Sequence, residues 1–271
     1  MKFCMNPITF GERDFAVGIE ASAKGGFDAV ELWLPHVEKF LAAGHTPAEA
    51  RAVLDDHGVK AAGACFVAGL IASAGEAKRK AFDAAKARFQ LCQALGARTI
   101  VCVGDGPAQP TPDDYHDAAE QAREVGDLAA SFGLTVGIEF VAGFPFVGTL
   151  ATAARLVSDA DHVSLGILFD CFHFWAGRSK MADFDHLRGV PIAFVHLNDA
   201  LDLPREILRD SHRVLPGRGA FPLREIVGCI EATGFEGYYS VELFNEQLFA
   251  VDPVEVATMA REACDQLAAS L

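Results

Sequence analysis

Four polar residues each close an apolar run in the second half of the chain: Glu139 ends VGIE, Asp170 ends ILFD, His196 ends FVH and Glu242 ends SVE. Burying such groups unpaired costs several kcal/mol each, so they need an ion or one another. Three carboxylates and one imidazole make a hard, oxygen-rich set. It suits one divalent cation (Mn²⁺, Mg²⁺, Co²⁺ or Zn²⁺), and the lack of a thiolate argues against a structural zinc site. The alternative is a carboxylate ring paired with arginine or with helix N-termini. Around a metal, a substrate carbonyl and its neighbouring hydroxyl would be chelated and the C–H between them acidified. A carboxylate in reach would then move that proton to the next carbon or to the opposite face, giving isomerisation or epimerisation with the same parts.

Other residues gather near these four. His173 follows Asp170 by three positions in DCFH, where it could bond a substrate oxygen or simply pack on Trp175. The segment 198–222 is densely charged, and its HRVLPGRG stretch offers Arg213 and Arg218. An arginine over a metal site can steady a negative enediolate oxygen, and Arg213 is assigned that role; the alternative is a surface salt bridge. Gly217 and Gly219 read as turn residues, not as a phosphate cradle. Glu31, Trp33 and His36 lie near another strand end, with Trp33 a candidate wall for a ring substrate and His36 a rim residue. The remaining histidines (His45, His57, His116, His162, His186, His212) fall in helices or turns.

The elements that must position these groups alternate. Short apolar runs near 2–6, 25–34, 57–66, 95–104, 132–140, 163–170, 192–199 and 233–244 read as strands. Helical stretches fall near 13–24, 47–57, 76–95, 113–132, 149–158, 180–188, 221–233 and 253–268. Thr46-Pro47 and Thr111-Pro112 each place a cap residue before a proline suited to the first turn. Nearly continuous apolar runs are how strands buried on both faces of a parallel sheet read. Eight β/α units in 271 residues predict an α/β (β/α)8 TIM barrel, a single domain over 1–271. A doubly wound sheet would show GxGxxG after its first strand, and none is present. In a barrel, Glu139, Asp170, His196 and Glu242 end strands 5, 6, 7 and 8 on the face where barrels carry their chemistry.

With 23 Lys and Arg against 37 Asp and Glu, the net charge is −14, which disfavours nucleic acid and anionic membrane surfaces as partners. No apolar stretch reaches the ~18 residues of a membrane span, and the opening MKFCMNPITF lacks a signal-peptide pattern. The seven cysteines are scattered without a CxxC pair, as buried thiols of a reducing compartment are, so a soluble cytoplasmic protein is expected.

GIEF (137–140), LFDCFHF (168–174), FVHLNDA (194–200), RDSHRVLPGRGAFPL (209–223) and YYSVELFNEQLF (238–249) resemble the sugar isomerase/epimerase superfamily of xylose-isomerase-like barrels. Within it, DxFHF, DxHRVxPGxG and SVELF are most similar to the inosose (2-keto-myo-inositol) isomerases. The resemblance implies that Glu139, Asp170, His196 and Glu242 bind one divalent metal. It also implies that Glu139 and Glu242 act as acid/base groups on opposite sides of the substrate, and that His173 and Arg213 hold substrate oxygens. The loops ELWLPH and ACFVAGL match no assignable pattern.

A rival within the same chemistry is a metal-dependent dehydratase of 3-dehydroshikimate or a keto-inositol. The repair-endonuclease branch is disfavoured, because the strand 3 and 4 ends (Cys65, Phe66, Gly104, Asp105) supply no histidine and the charge is wrong for DNA. The substrate is expected to be a small keto-polyol or sugar, uncharged, since HLND and VELFNE are acidic and only Arg213 and Arg218 could balance a phosphate. No partner protein is specified, and a homo-oligomer is compatible with the chain.

Overall fold

Eight runs rich in β-branched and apolar residues form a closed parallel barrel in a computed structural model that describes residues 1–271. The strands are β1 (Lys2–Met5), β2 (Ala29–Trp33), β3 (Lys60–Val67), β4 (Thr99–Val103), β5 (Thr135–Glu139), β6 (Leu165–Asp170), β7 (Ile192–Leu197) and β8 (Tyr238–Val241). Each pairs with its neighbours in sequence, and β1 closes the ring on β8 with Lys2 opposite Tyr238 and Met5 opposite Val241. The (β/α)8 expectation holds.

Helices Phe15–Lys24, Pro47–Asp56, Gly75–Leu95, Pro112–Ser131, Leu150–Ala160, Leu223–Ala232 and Pro253–Ala269 pack around the strands. Two of them start as the Thr-Pro pairs predict. The Glu49 N–H donates to Thr46 Oγ1 at 3.2 Å while the Thr46 N–H donates to the Glu49 carboxylate at 2.7 Å. Thr111 and Asp114 repeat the exchange, so two otherwise orphaned donors are satisfied at each helix start.

The structure departs from the sequence-based elements in four places. The span 180–188 is a 3₁₀ helix, Met181–Leu187. Strand β8 stops at Val241, so Glu242 stands one residue beyond it. Short helices follow β2 and β6 directly, at Leu34–Ala42 and Cys171–Ala176. The second forms because the Asp170 carboxylate accepts the His173 N–H at 3.0 Å, capping a helix outside the helical stretches read from the sequence.

The register sets the depth of the polar residues. Asp170 lies opposite His196 across β6 and β7, and His196 lies opposite Ser240 across β7 and β8. Residues two apart on a strand share a face. The positions two before Asn6, Glu31, Asp170 and His196 are Cys4, Ala29, Leu168 and Phe194, and with Cys65 and Val101 these form a buried plug inside the barrel. The polar groups therefore rest on an apolar floor, whose larger side chains each contribute roughly 1.5–3 kcal/mol by burial. Phe194 fills the centre because β3 presents Gly63 to it: a Cβ there would sit 3.0 Å from the ring.

Beyond β7, Asp199–Ala200 pairs antiparallel with Arg213–Val214. Buried Asp199 accepts the N–H groups of Ala200, Gly219 and Phe221, which folds the charged segment back over the barrel mouth and delivers Arg213 to it. Gly217 has φ +73°, as its turn reading expects.

Candidate metal centre

His196 is the hub of the site. Its imidazole is fully buried, and Nδ1 lies 3.2 Å from Glu242 Oε2, 3.4 Å from Glu139 Oε1 and 3.5 Å from Asp170 Oδ2. Nδ1 makes no hydrogen bond of its own despite being buried. The opposite nitrogen, Nε2, lies 3.0 Å from Glu31 Oε1. Glu139, Asp170 and His196 offer donor atoms all within 4.8 Å of one another, and Glu242 joins them through its contact with Nδ1.

Arg213 enters from the folded-back segment. Its Nη1 donates to Asp170 Oδ2 at 2.9 Å and to Glu242 Oε2 at 3.1 Å, and its other edge donates to Asp210 Oδ1 at 2.7 and 3.0 Å. The guanidinium stacks over Phe172 and Phe244, with its carbon 4.7 and 5.3 Å from the ring centres. His173 stands beside it, Nε2 3.4 Å from Arg213 Nη2 and 3.9 Å from Glu139 Oε1.

The four carboxylates Glu31, Glu139, Asp170 and Glu242 face one permanent cation, Arg213, so the cluster is short of positive charge. Burial opposes charging His196, yet Glu242 and Glu31, aided by Asp170 and Glu139, hold its pKa well above the ordinary imidazole value. Burial also raises Glu139, partly offset by His196 and His173. Asp170 goes the other way: burial disfavours its charge, but Arg213, His173 and His196 outweigh that and hold it well below the usual carboxylate range. Burial, with Glu242 and Glu31 nearby, pushes the Cys65 thiol up. An unpartnered buried nitrogen facing three carboxylate oxygens, within a cluster deficient in positive charge, fits a divalent cation.

Next to the cluster is a cavity of about 320 Å³. Trp33, Phe66, Phe144 and Phe244 form its apolar wall, and Glu139, His173, Arg213 and Glu242 its polar side. Trp33 meets Phe66 and Phe244 at ring separations of 5.6 and 6.0 Å, so it stands in the apolar wall of the cavity.

All six residues singled out for metal binding or catalysis (Glu139, Asp170, His173, His196, Arg213, Glu242) thus converge. Others do not. Arg218 donates to Gln266 on the surface, away from the cluster. His36 is a buried helical residue near Glu12, not a rim group. Three arginines that the sequence reading passed over, Arg178, Arg205 and Arg209, line a groove of about 950 Å³ that shares His173 and Asp210 with the cavity. The count of two arginines able to meet an anion is corrected: folding brings arginines from two loops to the mouth, which spacing alone did not show. Glu31, which the sequence places only near a strand end, meets His196 Nε2; its signal was an acid inside the apolar run AVELW.

A closed β/α barrel with acids and an imidazole gathered at the carboxyl ends of its strands belongs to the class of barrel enzymes that work at that face. The chain is a member of the Xylose isomerase-like TIM barrel family, whose profile matches residues 19–269. It is 26% identical over 271 residues to the inosose isomerase of Bacillus velezensis, covering 98% of this chain and 96% of that protein. It is 28% identical over 230 residues to a 3-dehydroshikimate dehydratase of Pseudomonas putida, covering 84% of this chain but 36% of that protein. A crystal structure of the IOLI protein with a bound zinc atom superposes with a TM-score of 0.91 at 23% identity, covering 100% of this chain and 99% of that one.

Proposed function

We propose that the chain is a divalent-metal-dependent isomerase of a keto-polyol, an inosose first among candidates. The observation that carries the reading is the unpartnered Nδ1 of His196, set among oxygens of Glu139, Asp170 and Glu242 beside an aromatic-walled cavity. Similarity to an inosose isomerase along the whole of both chains, at 26% identity, supports the substrate class, and dehydration is the less favoured alternative, since a dehydratase matched along most of its length is 24% identical. The seven cysteines, all free and six of them buried, suit a reducing cytoplasm. No helix is long and apolar enough to cross a membrane.

Glu139, Asp170, His196 and Glu242 would hold the ion. When bound, it supplies a Lewis acid that makes the C–H beside a substrate carbonyl acidic. Glu139 ends β5 and Glu242 follows β8, on either side of β7 and its His196 in the strand order, and both reach Nδ1, so one can take a proton and the other can return one. Burial raises Glu139 while Asp170 stays ionised, and such a divergence between neighbouring carboxyls separates a proton carrier from a permanent anion. His173 Nε2 and Arg213 border the cavity and hold substrate oxygens, while the aromatic wall packs on the ring carbons.

The reading is tested on a panel of keto-inositols, ketohexoses and 3-dehydroshikimate with products resolved by NMR. A keto-inositol is expected to give an isomer with no loss of water. Release of water from 3-dehydroshikimate as the fastest reaction would replace isomerisation with dehydration.

A further inference from the structure

We infer that Glu31 is a positioning residue for the metal centre, fixing the proton of His196 on Nε2 so that Nδ1 presents its lone pair to the cluster. The inference rests on the metal-binding reading above and extends it to β1 and β2, which carry none of the proposed ligands.

The hydrogen-bond inventory of Glu31 is complete. Its side chain is fully buried in the middle of β2, and both oxygens are in use. Oε1 meets His196 Nε2 at 3.0 Å, while Oε2 accepts from Ser240 Oγ at 2.7 Å and from Asn6 Nδ2 at 3.0 Å. Asn6 is itself fixed, its Oδ1 accepting the Ile8 N–H and its Nδ2 also reaching Glu242 Oε1 at 3.2 Å. An ionised carboxylate can only accept. Nε2 must therefore be the donor, and once the imidazole gives up its second proton the lone pair falls on Nδ1, the atom that faces Glu139, Asp170 and Glu242. A carboxylate behind a ligating histidine is a recurrent way to set both ring orientation and basicity.

A competing arrangement uses the same atoms. Glu31, Cys65 and His196 also offer three donor atoms within 4.8 Å of one another, enough for a second ion on the far side of the imidazole. That ion would have to displace the Nε2–H bond and strip Asn6 and Ser240 of their shared acceptor, so one ion and an intact bond are expected.

Glu31→Gln separates these possibilities without removing the side chain. An amide has one acceptor oxygen, and Asn6 and Ser240 together claim it. The amide NH₂ then faces Nε2, which must turn acceptor, and the ring proton moves to Nδ1 and blocks the cation. In the zinc-loaded, full-length wild type with isotopically labelled histidine, NMR is expected to find His196 protonated at Nε2 and bound through Nδ1. Chelator competition is expected to show one zinc per chain in the wild type and an affinity about 10–100-fold lower in Glu31→Gln. A purely structural role would lower thermal stability and leave the ring proton where it was.

Ligation through Nε2, unchanged zinc affinity in Glu31→Gln, or two zinc ions in the wild type and one in the variant would each overturn the inference. If Glu31→Gln fails to fold, the position of the ring proton in the wild type still decides. A wild type that takes up no zinc removes the metal-binding reading as well, whereas one zinc bound equally by both proteins removes only this inference.

Discussion

Glu139 and Asp170 approach the same imidazole nitrogen to within 3.4 and 3.5 Å, yet their surroundings drive them apart. Asp170 is held ionised against its burial by Arg213, His173 and His196, whereas burial raises Glu139. A permanent anion is suited to hold a cation and a raised carboxyl to carry a proton. Asp170→Asn keeps an acceptor for the His173 N–H but loses its charge opposite Arg213, so its main effect is expected on metal affinity, read by chelator competition. Glu242→Gln is expected to lose roughly 10²–10⁴ in turnover even at saturating metal, as befits a general base. Rescue of Glu242→Gln to near the wild-type rate by excess ion would take the base role from Glu242. These residues were legible because each interrupts an apolar run at its end. Glu31 showed the same interruption, but its partners Asn6, His196 and Ser240 lie far off in sequence, so its connection emerged only once the barrel had closed.

Strands were the most legible elements, because strands buried on both faces are read from apolar runs alone. Short helices were not. Six residues at Cys171–Ala176 have no periodicity to detect, and their start depends on Asp170, a residue already singled out for another purpose. The floor beneath the site was likewise invisible, since Gly63 and Phe194 lie on strands separated by three others. Gly63→Ala is expected to crowd the Phe194 ring and destabilise the protein by about 1–3 kcal/mol, the usual cost of overpacking. Because Phe194 stands edge-on to His196 at a ring separation of 6.3 Å, the strain should reach the His196 cluster too. Urea unfolding of the variant checks the first effect and zinc affinity the second; a variant with wild-type stability and affinity would show that the floor yields without consequence.

Taken whole, the molecule is acidic, with a net charge of −14, yet the mouth of its barrel gathers Arg178, Arg205 and Arg209 beside a carboxylate-lined cavity. Composition gives the net charge and says nothing of this local cluster, because Arg178 comes from one loop and Arg205 and Arg209 from another. Within the cavity, His196 keeps its proton above the ordinary imidazole range, so a cation must displace that proton to reach Nδ1. Raising the pH removes the competitor. Zinc affinity is therefore expected to rise between about pH 6 and pH 8, by about tenfold per pH unit for each proton displaced, and proton release on binding should be measurable by calorimetry in buffers of different ionisation enthalpy. An affinity independent of pH over that range would mean that the cation displaces no proton from His196 there. Cation, carboxylates and substrate act in one reaction, and solvent hydrogen exchange reads all three at once. With a keto-inositol in D₂O, the wild-type protein loaded with zinc or manganese is expected to place deuterium on the carbon beside the carbonyl as the isomer forms, and a chelator should stop both together. Isomer formation without deuterium incorporation would contradict transfer between two carboxylates, and exchange and turnover undiminished by the chelator would contradict a metal-dependent reaction.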